Sequence, residues 1–239
     1  MSAVAGADGC RRGWLVVTLS EGDPGAAVAH IHATFAEAIA AAPGWFAVDI
    51  PIGLPGFVTR GRSCDTTLRA KLGGRQSSVF AVPARAAVMQ TDYRAACETA
   101  FALSDPPRKV SQQCFHLFPK IREVDSALDP KRQERVFECH PEGAFWALNG
   151  CAPLAEPKKL KSRPYPPGLA LRRALLERAG FAREFLAASP FRAAEAGADD
   201  FLDACACAWT ALRRSRGEAI RFPDAPERDE RGLRMEIWA

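Results

Sequence analysis

The sequence contains no Cys-x-x-Cys pair, although it has eight cysteines, at positions 10, 64, 97, 114, 139, 151, 205 and 207. It therefore spells neither a zinc ribbon nor a thioredoxin-type redox motif. The opening Met-Ser-Ala-Val-Ala-Gly-Ala-Asp lacks the basic-then-apolar region of a secretory signal. No apolar run reaches the roughly 18 residues that span a bilayer. The expectation is a cytoplasmic protein with reduced thiols. Internal repeats and low-complexity tracts are missing, as are a Gly-x-Ser-x-Gly nucleophile motif and an aromatic RNA-recognition motif. Gly73-Gly-Arg-Gln-Ser-Ser78 resembles an anion-binding glycine loop but lacks the Lys-Ser/Thr ending of a P-loop.

What is present is ordinary globular composition. The 239 residues are 48% hydrophobic and 25% charged, enough for one sizeable core, and a single domain over 1–239 is expected. The net charge of +4 is compatible with a polyanionic partner without identifying one. A basic run, Lys158-Lys159-Leu-Lys161-Ser-Arg163, lies among prolines and reads equally well as a solvated loop.

Taken in order, residues 3–9, 14–19 and 26–32 read as three strands, the first two forming a hairpin. Thr34 caps a short alanine-rich helix over 35–41, stopped by Pro43-Gly44. Trp45–Ile50 is a further strand. From about 57 to 133 strand signals cease, and helical spacing over 66–72, 93–103 and 112–127 predicts a helical insertion. Strand pattern returns over 134–139. Helices follow over 143–148, 169–179, 182–188 and 199–214, with a proline- and lysine-rich loop at 153–167 and a short last strand at 235–238. Trp14, Trp45, Trp146 and Trp209 fall inside apolar patterns and read as core. This order predicts an α/β fold with a mixed sheet.

Three of the strands end in or beside an acid: Asp8, Asp49 and Glu138. Parallel neighbours bring such ends to one edge of a sheet, where ligands gather. The helix beginning Ala-Asp199-Asp-Phe-Leu-Asp203 carries Asp200 and Asp203 on one face beside an apolar stripe, with Asp199 turned away. Each acid has an ordinary alternative role, as a turn residue, a cap or a partner of the helix dipole. Together they make an oxygen-only donor set of the kind Mg2+ or Mn2+ selects. Two such ions about 4 Å apart clamp the attacking and leaving oxygens of a phosphodiester. His140, between Glu138 and Glu142, reads as a proton shuttle, an orienting group or a structural histidine. Arg11, Arg12, Arg62, Arg75 and Lys120 are candidates for holding phosphate, and each taken alone also reads as an exposed basic residue with no such role. The thiol arrangements Cys114-Phe-His116 and Cys205-Ala-Cys207 are poor zinc candidates, because residues two apart on a helix diverge.

Five segments resemble the signature of one family, the domain of unknown function 429: Gly6-Ala-Asp-Gly-Cys-Arg-Arg-Gly-Trp14, Val48-Asp-Ile-Pro-Ile-Gly-Leu54, Gln76-Ser-Ser-Val-Phe-Ala-Val-Pro83, Phe137-Glu-Cys-His-Pro-Glu142 and Asp199-Asp-Phe-Leu-Asp-Ala204. The resemblance spans residues 4 to 238. It implies a ribonuclease-H-like mixed sheet, three antiparallel strands followed by parallel ones, flanked by helices. It also implies a nuclease in which Asp8 bridges metal ions. Asp49 or Glu138 and the helix acids Asp200 and Asp203 would complete the site, with an ending most like the resolvase branch. The expected activity is hydrolysis of nucleic-acid phosphodiesters by metal-activated water. Arg11, Arg12, Arg62, Arg75, Lys120, His140 and Glu142 would lie toward the substrate. The expected partner is DNA or RNA, with no membrane, and a homodimer is left open. Two rival readings are a metal-dependent hydrolase of nucleotides or small phosphorylated metabolites, and a non-catalytic binding module on the same fold.

Overall fold

The structure is a computed structural model and describes residues 3–42, 44–161, 163–187 and 189–239. Strands β1 (Val4–Cys10), β2 (Gly13–Leu19), β3 (Ala27–His32), β4 (Phe46–Val48) and β5 (Val136–Glu138) form one sheet in the order β3-β2-β1-β4-β5. The first three strands run antiparallel, and β4 and β5 join β1 in parallel. The chain is thus α/β with a mixed five-stranded sheet.

Alternation along the strands explains why both faces are covered. On β2, Trp14 and Val16 point into one apolar cluster, while Leu15, Val17 and Leu19 point into the other. The first cluster packs against α1 (Phe35–Ala41), α3 (Arg85–Val88), α4 (Tyr93–Ala102) and α5 (Gln112–Ala127). The second packs against α6 (Pro141–Leu148), α7 (Pro166–Arg178), α8 (Arg183–Ala187) and α9 (Ala198–Ser215). A third, smaller cluster joins α2 (Ser63–Arg69) and Trp146 of α6 to a ribbon of β8 (Arg221–Phe222) and β9 (Ile237–Trp238). The remaining pair, β6 (Lys159–Leu160) and β7 (Arg163–Pro164), is a small hairpin just before α7.

Helix α9 lies against β1 at backbone distance. A Cβ placed on Gly6 would sit 1.9 Å from the amide nitrogen of Ala208 and 2.5 Å from the carbonyl oxygen of Ala204. Only glycine on the strand and the run of small residues from Ala204 to Ala208 permit this approach.

Several expected boundaries shift for local reasons. Thr34 caps α1 in a full capping box with Glu37, as its position suggests. Helix α6 starts at Pro141 rather than 143, because His140 serves as N-cap and proline suits the first turn. Helix α2 spans 63–69 rather than 66–72, and Gly73–Ser78 is an exposed 3-10 turn. The expected strand over 45–50 narrows to β4, and that over 134–139 to β5. The loop expected over 153–167 holds the β6–β7 hairpin, and the tail expected as loop supplies β8. Between β4 and β5 the chain runs through α2 to α5. Pro43, the expected stop of α1, and Ala188, the expected end of the helix over 182–188, lie outside the described residues. Trp14 and Trp146 are buried, whereas Trp45 and Trp209 are only partly so.

Candidate functional site

A cavity of about 520 Å³ opens at the C-terminal edge of β1, β4 and β5. Asp8 reaches it from β1. Asp49 follows β4 directly, its amide donating to the Ala7 carbonyl at 3.0 Å, so the parallel pairing continues far enough to set the two acids side by side. Asp203 enters from the second turn of α9, whose seam with Gly6 brings that helix over β1. One oxygen from each of Asp8, Asp49 and Asp203 lies within 4.8 Å of the other two. Among the described residues this is the one group of three or more acids, histidines or cysteines close enough to hold a cation together.

Electrostatics make the cluster costly when it is fully ionised. Burial raises the Asp8 pKa well above the usual carboxylate range, and Asp49, Asp200 and Asp203 raise it further while Lys158 opposes. Burial likewise pushes Asp49 up to about 8, with Lys158 opposing and Asp203 adding to the rise. Asp203 is pushed up to about 6 by burial against the opposing pull of Lys158. The Lys158 ammonium bonds to one oxygen of Asp203. Burial disfavours its charge, but Asp203, Asp49 and Asp8 more than compensate and raise its pKa. The second oxygen of Asp203 has no partner, although the residue is only 1% exposed. Three carboxylates therefore share one ammonium, and a buried carboxylate oxygen is left without a donor.

Glu138 lies at the same edge with a different fate. Both its oxygens are taken by Arg62, at 2.8 and 2.7 Å, and one also accepts from the Ile52 amide at 2.7 Å. Arg62 is 2% exposed and also binds Asp65, so it is a wall strut rather than a free phosphate contact. Asp200 turns back to accept the Gly197 amide at 2.7 Å, a capping bond at the start of α9. Asp200 nonetheless raises the pKa of both Asp8 and Asp49, so it stays on the cluster side of the helix with Asp203. Asp199 is 5% exposed and pairs with Lys159 at 2.5 Å. Both Asp199 and Asp200 still border the cavity.

Of the other expected residues, Arg11 and Lys120 line the cavity, bonded to the carbonyls of Ala193 and Gly13 at 2.7 and 2.6 Å. Arg12 pairs with Glu195 at 2.8 Å, and neither Arg12 nor Arg75 lines it. His140 accepts the Glu142 amide on Nδ1 at 3.2 Å, leaving its proton on Nε2, which faces the Ser78 carbonyl at 3.3 Å. Burial pushes its pKa down to about 4, so the ring is a neutral cap for α6. Glu142 is buried against Arg172 and keeps one oxygen without a partner.

Sequence reasoning missed Lys158, which the flanking prolines and lysines disguise as loop, and Arg172. The latter had a readable signal: a charged residue on the apolar stripe of α7 between Leu169 and Leu175. It is 0% exposed.

The family model described as protein of unknown function (DUF429) matches residues 6–228. The chain belongs to that family. The match takes in Asp8, Asp49, Lys158 and Asp203, so in this member of the family the whole cluster lies within the shared region. No curated protein and no solved structure matches the chain.

Proposed function

We propose that the protein is a divalent-metal-dependent nuclease of ribonuclease-H-like fold. The observation that carries this reading is the convergence of Asp8, Asp49 and Asp203 from a first strand, a parallel neighbour and the last long helix. The sheet order β3-β2-β1-β4-β5, with three antiparallel strands followed by two parallel ones, supports the fold assignment.

The donor set fits Mg2+ or Mn2+. It is all oxygen, it lacks positive charge for the carboxylates it gathers, and it includes the unpartnered Asp203 oxygen. Asp8, Asp49 and Asp203 would hold the ion, with Asp199 and Asp200 beside them. Such an ion would supply Lewis-acid activation and charge neutralisation for phosphodiester hydrolysis. Arg11 and Lys120, at the rim, would meet phosphate oxygens. Arg62 would keep Glu138 and Asp65 fixed, and His140 would keep the start of α6 in place without moving a proton.

The test is thermal unfolding with Mg2+, Mn2+ or EDTA on wild type and Asp8→Asn, followed by cleavage assays on branched DNA, structured RNA and nucleotides. A metal-dependent rise in melting temperature that the variant loses, with loss of cleavage but retention of polyanion binding, is the expected outcome. One observation favours a second reading, a hydrolase of nucleotides or small phosphorylated metabolites. Arg12 and Arg62 are engaged in ion pairs and Arg75 lies away from the cavity, leaving little basic surface for a long polyanion. Binding to DNA or RNA that is insensitive to salt, or absent, would select it.

A further inference from the structure

Lys158 occupies an unusual place. Its ammonium binds Asp203, and it lines the same cavity edge as Asp8 and Asp49. Its backbone is fixed. Arg172 donates to the Glu156 carbonyl at 3.1 Å, and the Tyr165 amide donates to the Lys158 carbonyl at 2.9 Å. A Cβ on Gly168 would lie 1.8 Å from the Pro157 carbonyl oxygen, so α7 abuts the main chain just before Lys158. The side chain beyond that anchor is a flexible four-carbon stem carrying a point charge. Arg62 offers the contrast: a planar guanidinium bonded to Glu138, Asp65 and the Ile52 carbonyl, with no slack.

We infer that Lys158 is a tethered counter-ion of the carboxylate cluster, and that a divalent ion loads the site by exchange with its ammonium. The inference rests on the metal-binding reading above. A tethered cation competes at high effective concentration, so it keeps the metal-free cluster folded and weakens cation binding. Once exchanged, the ammonium remains at the cavity on its anchored stem, free to meet an anionic substrate. The unpartnered Asp203 oxygen shows that the ammonium alone does not satisfy the cluster, which leaves a doubly charged ion a reason to replace it.

Isothermal titration with Mn2+ of wild type, Lys158→Met, Lys158→Arg and Lys159→Met tests the exchange. Lys158→Met is expected to bind Mn2+ at least about tenfold tighter than wild type, because the competitor is gone. Lys158→Arg retains a competing charge and stays within about threefold of wild type, and Lys159→Met, whose ammonium pairs with Asp199 and not with the three clustered acids, within about twofold. If Lys158→Met does not fold without metal, the neutral, hydrogen-bonding Lys158→Gln replaces it with the same expectation. Saturable binding of equal or weaker affinity in the neutral variant overturns the exchange and leaves the metal reading standing. No saturable binding in wild type or in the neutral variant overturns the metal reading, and the exchange with it.

Discussion

Glu138 and Asp49 end neighbouring parallel strands at one edge of one sheet, yet they have opposite surroundings. Glu138 is bonded twice to a buried arginine and once to a backbone amide. Asp49 shares a single lysine with two other acids. The difference teaches how to separate structural from functional carboxylates. A buried acid with its full complement of donors is finished by folding, whereas an acid left in a cluster short of positive charge is waiting for a ligand.

The strongest way to break the comparison is Arg62→Met. It should strand Glu138 and Asp65 and cost about 3–5 kcal/mol in denaturant unfolding. Gly6→Ala attacks the other acid's surroundings, by forcing α9 away from β1. A loss of about 2–3 kcal/mol is expected, together with loss of any metal-induced rise in melting temperature.

Asp49→Asn sharpens the contrast through pH. A carboxyl whose pKa is raised from 3.8 to about 8 binds its proton more tightly folded than unfolded. Metal-free wild type should therefore lose stability as pH rises from 4 to 8. The asparagine variant should flatten that slope and gain on the order of 1–2 kcal/mol at the alkaline end. Unfolding curves at several pH values in EDTA would show it, and a parallel slope in both proteins would remove Asp49 from the cluster. The smallest effect is expected from Arg75→Ala, outside the cavity: within about 0.5 kcal/mol in stability and no change in Mn2+ or polyanion binding.

The alternation of β2, the capping box at Thr34 and the acids at strand ends were legible in the sequence because each depends on residues close together in the chain. Which acid would be saturated was not legible. The partner of Glu138 is Arg62, separated from it by 76 residues, and nothing local marks the pair. The orientation of Asp200 depended on one capping bond from the Gly197 amide, which draws one of its oxygens back to the start of α9. Lys158 was hidden for the opposite reason. Its neighbours look like solvated loop, and only the packing of α7 against Pro157 carries it inward.

The contact at Gly6 has a wider consequence. Two of the three clustered acids are carried by main chains that touch each other directly, with no side chain between to yield or repack. Most sites can drift in width as a core changes by a methyl group here and there. Here the gap between Asp8 and Asp203 works as a fixed gauge, and the bond from the Asp49 amide to the Ala7 carbonyl ties the third acid to the same strand. Changes along that seam should register as all or nothing.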